Sequence, residues 1–317
     1  MNNTKILLVC NNKMAYPLMV RLLNEGVLCG VVTADNNNEV VQLYSTFAKS
    51  NNIPYYCTSR QDYLRQINDA LTDQKPVAVF VFTYPWRIKE LLLHIPEYGF
   101  INFHPGTLPE MRGADPIFES IRNGKPQVGL SAHRMDEGFD TGPVYMQETY
   151  PLDPEQTYGM VTRDMAYTTE QMAGKLVQNI KAGTLPDPVQ QNTANAHYWP
   201  KLAMDALLIN WQDMDAATIK ALVKACNPIS RGAYAALNGW KLCICDVTDV
   251  NLQGGDASHI APGTVLACDP QNGLIVCCRN GRALKVETVY LDEGILPGYK
   301  LSYFGIIQGV QLGNGIA

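Results

Sequence analysis

Apolar runs and amphipathic stretches alternate along the first half of the chain. The runs at 5–10, 27–33, 76–83 and 100–104 are nearly continuous in apolar residues, as expected of strands buried on both faces. A shorter strand is predicted at 53–57, with Pro54 near its start. Between them, 16–25, 40–50, 62–73 and 88–95 carry apolar side chains at helical spacing. Leu18, Leu22 and Leu23 form one such face, which stops at Gly26. Further on, 115–123 reads as a helix, 128–135 and 144–150 as strands around a glycine-flanked loop, and 158–180 as a long helix. That helix has Met160, Val161, Met165, Met172, Leu176 and Val177 on its apolar side. Strand–helix alternation predicts right-handed crossovers and a doubly wound, mostly parallel α/β sheet, with ligands beyond the carboxyl ends of its strands.

The pattern then changes. Residues 182–201 hold Gly183, Pro186, Pro188, Pro200 and a polar run at 190–195, which is linker composition. A helix at 215–226 leads into short strands separated by turn signals at Asn238-Gly239, Gly254-Gly255, Pro262-Gly263, Asn272-Gly273, Asn280-Gly281 and Pro297-Gly298. Short, evenly spaced strands with such turns predict a small β-barrel. The expected organisation is a first domain at 1–182, a linker at 183–206 and a barrel domain at 207–317.

Composition narrows the function. At 46% hydrophobic and 17% charged residues, the 317-residue chain has the make-up of a soluble, well-cored protein. A net charge of -5 and the absence of any dense Lys/Arg run disfavour a generic polyanion binder. Nine cysteines without a Cys-x-x-Cys are expected to be buried free thiols in a reducing cytoplasm, and no metal site is expected. No apolar run is long enough to span a membrane, and the amino terminus lacks the features of a secretory signal. No Gly-x-Gly-x-x-Gly stands between Cys10 and Leu22, so no nicotinamide dinucleotide is expected.

The candidate chemistry lies between Gly99 and Gln147. Asn102 and His104 are two apart on an apolar strand, so their side chains share a face at a strand's carboxyl end. Asp140 follows in a loop flanked by Gly138 and Gly142. An amide donor for a developing oxyanion, an imidazole base and a carboxylate to orient or charge that base together suit acyl transfer. Neither Ser nor Cys stands at these positions to act as a nucleophile. His94, His133, His197 and His259 are scattered and read as structural or exposed. Trp199, Trp211 and Trp240 read as linker and barrel packing.

These residues carry a resemblance. Asn-Phe-His-Pro-Gly-Thr-Leu-Pro at 102–109 with Arg112-Gly113, and Met-Asp-Glu-Gly-Phe-Asp-Thr-Gly at 135–142, resemble the paired motifs of the folate-dependent formyltransferase family. Ile209-Asn-Trp, Asn227-Pro228 and the run at 261–266 resemble landmarks of the carboxy-terminal barrel of methionyl-tRNA formyltransferases and some sugar-nucleotide formyltransferases, so the likeness spans nearly the whole chain. It implies the formyltransferase fold: a Rossmann-like sheet followed by a smaller OB-like β-barrel. It also implies transfer of formyl from 10-formyltetrahydrofolate to a primary amine, with Asn102, His104 and Asp140 catalytic. The pterin is expected near Tyr84, Pro85, Trp86, Arg87 and Ile88 and along Met135, Asp136, Glu137 and Phe139. Thr107, Arg112 and Gly113 are expected at the acceptor, with Arg112 as an anionic contact.

Three departures bear on the acceptor. The motif serine is Gly106 here. The first strand ends in Cys10-Asn-Asn-Lys rather than a Gly-Thr-Pro-like turn. The segment after the second strand is short and lacks Lys and Arg, where enzymes acting on initiator tRNA carry an extended basic loop. A small or carrier-bound amine, such as an amino-sugar nucleotide or an amino acid, is therefore the expected acceptor. Initiator methionyl-tRNA is the second reading and hydrolysis of the formyl donor the third. The protein is expected to be cytoplasmic, as a monomer or homodimer.

Overall fold

In the computed structural model, residues 4–237, 240–252 and 257–313 are described. The first apolar runs become parallel strands: β1 (Ile6–Cys10), β2 (Leu28–Ala34), β3 (Tyr55–Thr58), β4 (Ala78–Phe82) and β5 (Phe100–His104). They alternate with α1 (Tyr16–Asn24), α2 (Asn38–Ser50), α3 (Tyr63–Gln74) and α4 (Glu90–Leu93). Then come β6 (Arg112–Gly113), α5 (Pro116–Arg122), β7 (Gln127–Arg134), β8 (Val144–Pro151), α6 (Tyr158–Ala182) and β9 (Tyr198–Trp199). The chain continues through α7 (Ala216–Cys226), β10 (Ala233–Leu237), β11 (Trp240–Val250), β12 (Val265–Asp269), β13 (Gly273–Cys277), β14 (Ala283–Leu291) and β15 (Gly294–Pro297). Among the described residues no helix is long and apolar enough to cross a membrane.

Two units are distinguished: Met1–Pro116, Val128–Tyr150 and Thr162–Pro200 form one, and Ile117–Gln127, Pro151–Val161 and Lys201–Ala317 the other. The first is built on a seven-stranded sheet in the order β3-β2-β1-β4-β5-β7-β8. Its first five strands are mutually parallel and β7 runs antiparallel to β5, so the sheet is mixed but mostly parallel. One sheet face buries Leu7, Val9, Val79, Val81 and Phe100 against Ile67 and Leu71 of α3 and Leu92 and Leu93 of α4. That alternation continues along β5, so Asn102 and His104 extend the same face past the end of the apolar core. Phe80 and Phe103 meet on the opposite face with ring centroids 5.2 Å apart. Arg21–Glu170 (3.0 Å) and Lys181–Glu25 (2.7 Å) tie α6 to α1.

Two local expectations change. The helix expected over 88–95 shrinks to α4, because Lys89 is extended and Ile88 is drawn into the core ahead of the first turn. The segment expected as a linker carries structure of its own in the first unit. Its β9 pairs in parallel with β6, and Val189 bridges Val144.

The second unit contains an antiparallel sheet ordered β10-β11-β14-β13-β12, with β15 on β14. Bridges from Gln311 to Thr264 and from Gly313 to Ala236 link the segment at 311–313 to both sides of this sheet. At Asn280-Gly281 both residues have positive φ (65° and 69°), as a two-residue type I′ hairpin turn requires. The signals at Asn238-Gly239 and Gly254-Gly255 lie outside the described residues. α7 packs against β11 and buries Ile219, Leu222 and Val223. Trp211 is buried as expected, but Trp240 is 70% exposed. The nine cysteines are free thiols; five are buried, whereas Cys57 is exposed.

Truncating Phe80 removes a fully buried ring and its edge-to-face partner at once. Phe80→Ala is expected to lower unfolding free energy by about 3–5 kcal/mol, read as an earlier urea midpoint for the first unit.

Candidate active site

The polar residues at the carboxyl end of β5 owe their neighbours to sheet register. Asn102 lies beside Val81 of β4 and opposite His133 of β7, and His104 lies opposite Ser131. β7 itself alternates: Val128, Leu130 and Ala132 face one way, while Gly129, Ser131 and His133 face the other. His133, expected to be a scattered structural or exposed histidine, is thus a member of the site. The signal that could have found it is small and polar residues alternating along a fully buried strand.

Asp140 joins from the loop between β7 and β8. Its backbone is left-handed (φ 57°), a conformation that Asp tolerates better than most residues. Its Oδ2 accepts the Gly113 N–H at 3.0 Å. Its Oδ1 lies 3.4 Å from His104 Nδ1 and 3.6 Å from His133 Nε2. Burial pushes the carboxyl pKa up, but His104, His133 and the Gly113 N–H together outweigh that and hold it down at about 2. Asp140 is therefore an anion at every physiological pH.

His104 is buried, with 4% of its side chain exposed. Its Nε2 is 2.6 Å from the Met111 carbonyl oxygen. A carbonyl only accepts, so Nε2 carries the hydrogen and donates it, which leaves Nδ1 on the Asp140 side. Burial lowers the pKa of this imidazole; Asp140 and the Met111 carbonyl oppose that, and His133 adds to the lowering. The net direction is downward, toward a neutral ring with its free lone pair on Nδ1.

The loop after His104 is held by side chains as much as by backbone. Ser131 Oγ is 2.6 Å from the Gly106 carbonyl oxygen, and Gln147 Oε1 accepts the Leu108 N–H at 2.8 Å. A Cβ at Gly106 would stand 2.8–2.9 Å from Pro116 Cβ and from Met111 Cβ and O, so the loop closes where the family motif carries a serine. Thr107 turns its methyl toward Gly129, and its carbonyl accepts the Met111 N–H at 2.8 Å. Gly113 does not present a side to solvent: its φ is 109°, and a Cβ there would lie 1.9 Å from the Trp199 carbonyl oxygen.

Arg112, expected to contact an anion, donates two N–H groups to Gln191 Oε1, from Nε at 3.1 Å and from Nη2 at 2.6 Å. Gln191 in turn donates through Nε2 to the Asp140 carbonyl (2.9 Å) and the Gly142 carbonyl (2.7 Å). This residue of the expected linker therefore clamps the strand carrying Gly113 to the loop carrying Asp140. Nothing local in a polar, proline-flanked run marks it out.

The residues expected at the pterin divide in two. Tyr84 and Trp86 stand edge to face (5.6 Å), with Tyr63 5.2 Å from Trp86. Arg87 donates to the Glu137 carbonyl and lies 5.9 Å over the Phe139 ring, linking the two segments. Pro85 and Phe139 are exposed, and Met135 packs at the core margin. Ile88, by contrast, is core, and Asp136 is committed to its own loop through the Gly138 N–H (3.1 Å) and the Thr141 hydroxyl (2.6 Å). Thr83, just after β4, is left-handed (φ 54°), and its buried hydroxyl has no partner. A β-branched residue in that conformation is strained, and such strain concentrates at functional sites.

Comparison with known proteins places this arrangement. The sequence profile of the formyl transferase family matches residues 6–175, and that of the formyl transferase carboxy-terminal domain matches residues 201–296. The methionyl-tRNA formyltransferase of Dictyoglomus thermophilum is 32% identical over 246 residues, 77% of this chain and 75% of that one. Among solved structures, the N-formyltransferase of Helicobacter canadensis in complex with folinic acid and dTDP-3-aminofucose superposes with a TM-score of 0.67 at 17% identity. The match covers 89% of this chain and 98% of that one. HypX of Aquifex aeolicus, in complex with tetrahydrofolic acid, gives 0.66 at 18% identity over 96% of this chain and 48% of its own.

Both shifted groups predict loss of stability on acidification. His104 is harder to protonate folded than unfolded, so its contribution is complete above the ordinary value of 6.5 and declines as pH falls below it. Asp140 contributes about 2 kcal/mol above its ordinary 3.8, lost as pH falls toward 2. Melting temperature against pH should therefore show an upper step that is absent in His104→Gln, and a further decline below pH 4 that is reduced in Asp140→Asn.

Proposed function

Because the chain belongs to the formyl transferase family, we propose that it transfers a formyl group from 10-formyltetrahydrofolate to the primary amine of a small or carrier-bound acceptor. One observation carries the reading: at the carboxyl end of a mostly parallel sheet the Asp140 carboxylate lies 3.4 Å from His104 and 3.6 Å from His133, and His133 in turn lies 3.2 Å from the Asn102 carboxamide. When bound, the folate supplies a formyl carbon attached to a nitrogen that can leave. Tyr84, Pro85, Trp86 and Arg87, with Met135, Glu137 and Phe139, would hold it. Their aromatic faces suit a flat heterocycle, whereas Ile88 and Asp136 support that wall from behind.

The chain's own groups divide the work. The Asn102 carboxamide offers an N–H to the carbonyl oxygen as negative charge builds there. His104 Nδ1, left bare because Nε2 is held by Met111, takes the proton shed by the attacking amine, which then passes to the nitrogen that leaves as its bond to the formyl carbon breaks. Asp140 lies beside that nitrogen and stabilises the imidazolium at the moment it forms. Gly113 fixes one carboxylate oxygen and Gln191 fixes the loop, so the acid does not swing away. Arg112 and Gly113 thereby serve the acceptor side by shaping it, and Thr107 lies in the loop between His104 and Met111.

The acceptor is argued from the β2–α2 connection. Only residues 35–37 separate the strand from the helix, and Asn37 spends its side chain capping α2 through the Val40 N–H (3.3 Å). No basic loop projects there to follow a nucleic-acid backbone. The formyltransferase fold likeness to an enzyme solved with an amino sugar nucleotide favours the same class. A second reading, initiator methionyl-tRNA, is favoured by the 32% identity to the Dictyoglomus enzyme.

With 10-formyltetrahydrofolate and a panel of amino-sugar nucleotides and aminoacyl carriers, tetrahydrofolate release should require the amine. Asn102→Ala should cut kcat about 100- to 1,000-fold. The acid limb of kcat/KM should fall below pH 6.5, following His104. Tight, steeply salt-dependent binding of initiator tRNA would move the assignment to the second reading.

A further inference from the structure

We propose that His133 is a positioning residue for this reaction, holding one N–H of the Asn102 carboxamide so that the other points at the reacting carbonyl. The inference rests on the formyl-transfer reading for its kinetic consequence, but the pairing itself stands on geometry.

His133 and Asn102 are a directly opposed cross-strand pair in the β5–β7 register. Asn102 Nδ2 lies 3.2 Å from His133 Nε2. The other ring nitrogen, Nδ1, faces the Arg134 carbonyl oxygen at 3.2 Å. That oxygen can only accept, which favours a hydrogen on Nδ1, and in that tautomer the ring presents a lone pair at Nε2 toward the carboxamide. A carboxamide is two-faced. If it turns over about its terminal torsion, an oxygen replaces the NH2 and would repel the charge developing on the carbonyl oxygen. A ring nitrogen that can only accept forbids the turned-over state, because two lone pairs would then face each other. His133 is 3% exposed at its side chain, so water is kept from taking over this duty.

Asp140 Oδ1, 3.6 Å from the same Nε2, gives the arrangement its second edge. A proton placed on Nε2 would be attracted to the carboxylate, and the amide would then have to present its oxygen to the ring. The direction of one hydrogen therefore decides which end of Asn102 the substrate meets. His104 sits at the other Asp140 contact through its own Nδ1, so the two histidines flank one oxygen with different duties: one handles the amine's proton and the other the polarity of the amide.

The test combines substitution with a measurement that needs no acceptor. His133→Leu should lower kcat about 10- to 100-fold, with KM for donor and amine changed less than about 2-fold. His133→Gln, whose amide oxygen reaches roughly the place of Nε2, should restore most of the rate. His133→Asn, whose oxygen falls near Nδ1, should not. In an Asn102→Ala background, His133→Leu should cost less than about 2-fold more, since its route of action has gone. Imidazole 15N spectra of the unsubstituted protein at neutral pH should show His133 protonated at Nδ1, with the Nε2 resonance moving in Asn102→Ala. A ring protonated at Nε2, full kcat in His133→Leu, or losses that multiply in the double variant would each overturn the inference. If no amine is formylated at all, the proposed reaction fails, and the spectra still decide the pairing.

Discussion

A buried carboxylate must be compensated on every side, and Asp140 sets the terms for the rest of the site. One oxygen takes a backbone N–H and the other lies between two imidazoles, while its backbone sits in a conformation that an ordinary residue avoids. None of these partners belongs to its own loop. Gly113 comes from β6, His104 from β5 and His133 from β7. The anion needs β5 and β7 in register and the separate β6–β9 pair brought beside them, so the assembly of these strand ends and the charged site are one event. The outcome is a carboxyl group held near 2, next to an imidazole biased to stay neutral until a proton reaches it.

The side chains that tie down the two loops directly are polar but uncharged. Gln191 joins Arg112 to the Asp140 loop with hydrogen bonds that add no net charge beside the anion. Ser131 and Gln147 do the same for the loop after His104. Neutral ties fix geometry without pulling the carboxylate or the imidazole toward a competing ion pair. Arg112 is the instructive case, because its guanidinium is spent on an amide.

Legibility followed the range of the interaction. β1, β4 and β5 were readable because a strand buried on both faces must be apolar along its whole length, and Asn102 and His104 stood out as the polar interruption of one such run. Asp140 was readable from its loop and from the paired motifs around it. The same local reading put a helix over 88–95, where the core's demand for Ile88 cut it short. It also set aside His133, because one histidine in a strand looks like any other until its cross-strand partner is known. Gln191 was the least visible. Its segment has linker composition, and its value comes from carbonyls about fifty positions away.

The order of strands and helices, the break in composition near 182–201 and the residue types of the candidate site were legible in the chain itself, because periodicity and residue chemistry are local properties. Register, hydrogen position and protonation were settled only by folding. Which imidazole nitrogen is bare depends on the Met111 and Arg134 carbonyls, and the ionisation of Asp140 depends on groups brought in from three other strands. Such quantities are set by distances of a few ångströms between residues far apart along the chain, and a linear sequence holds no record of those distances.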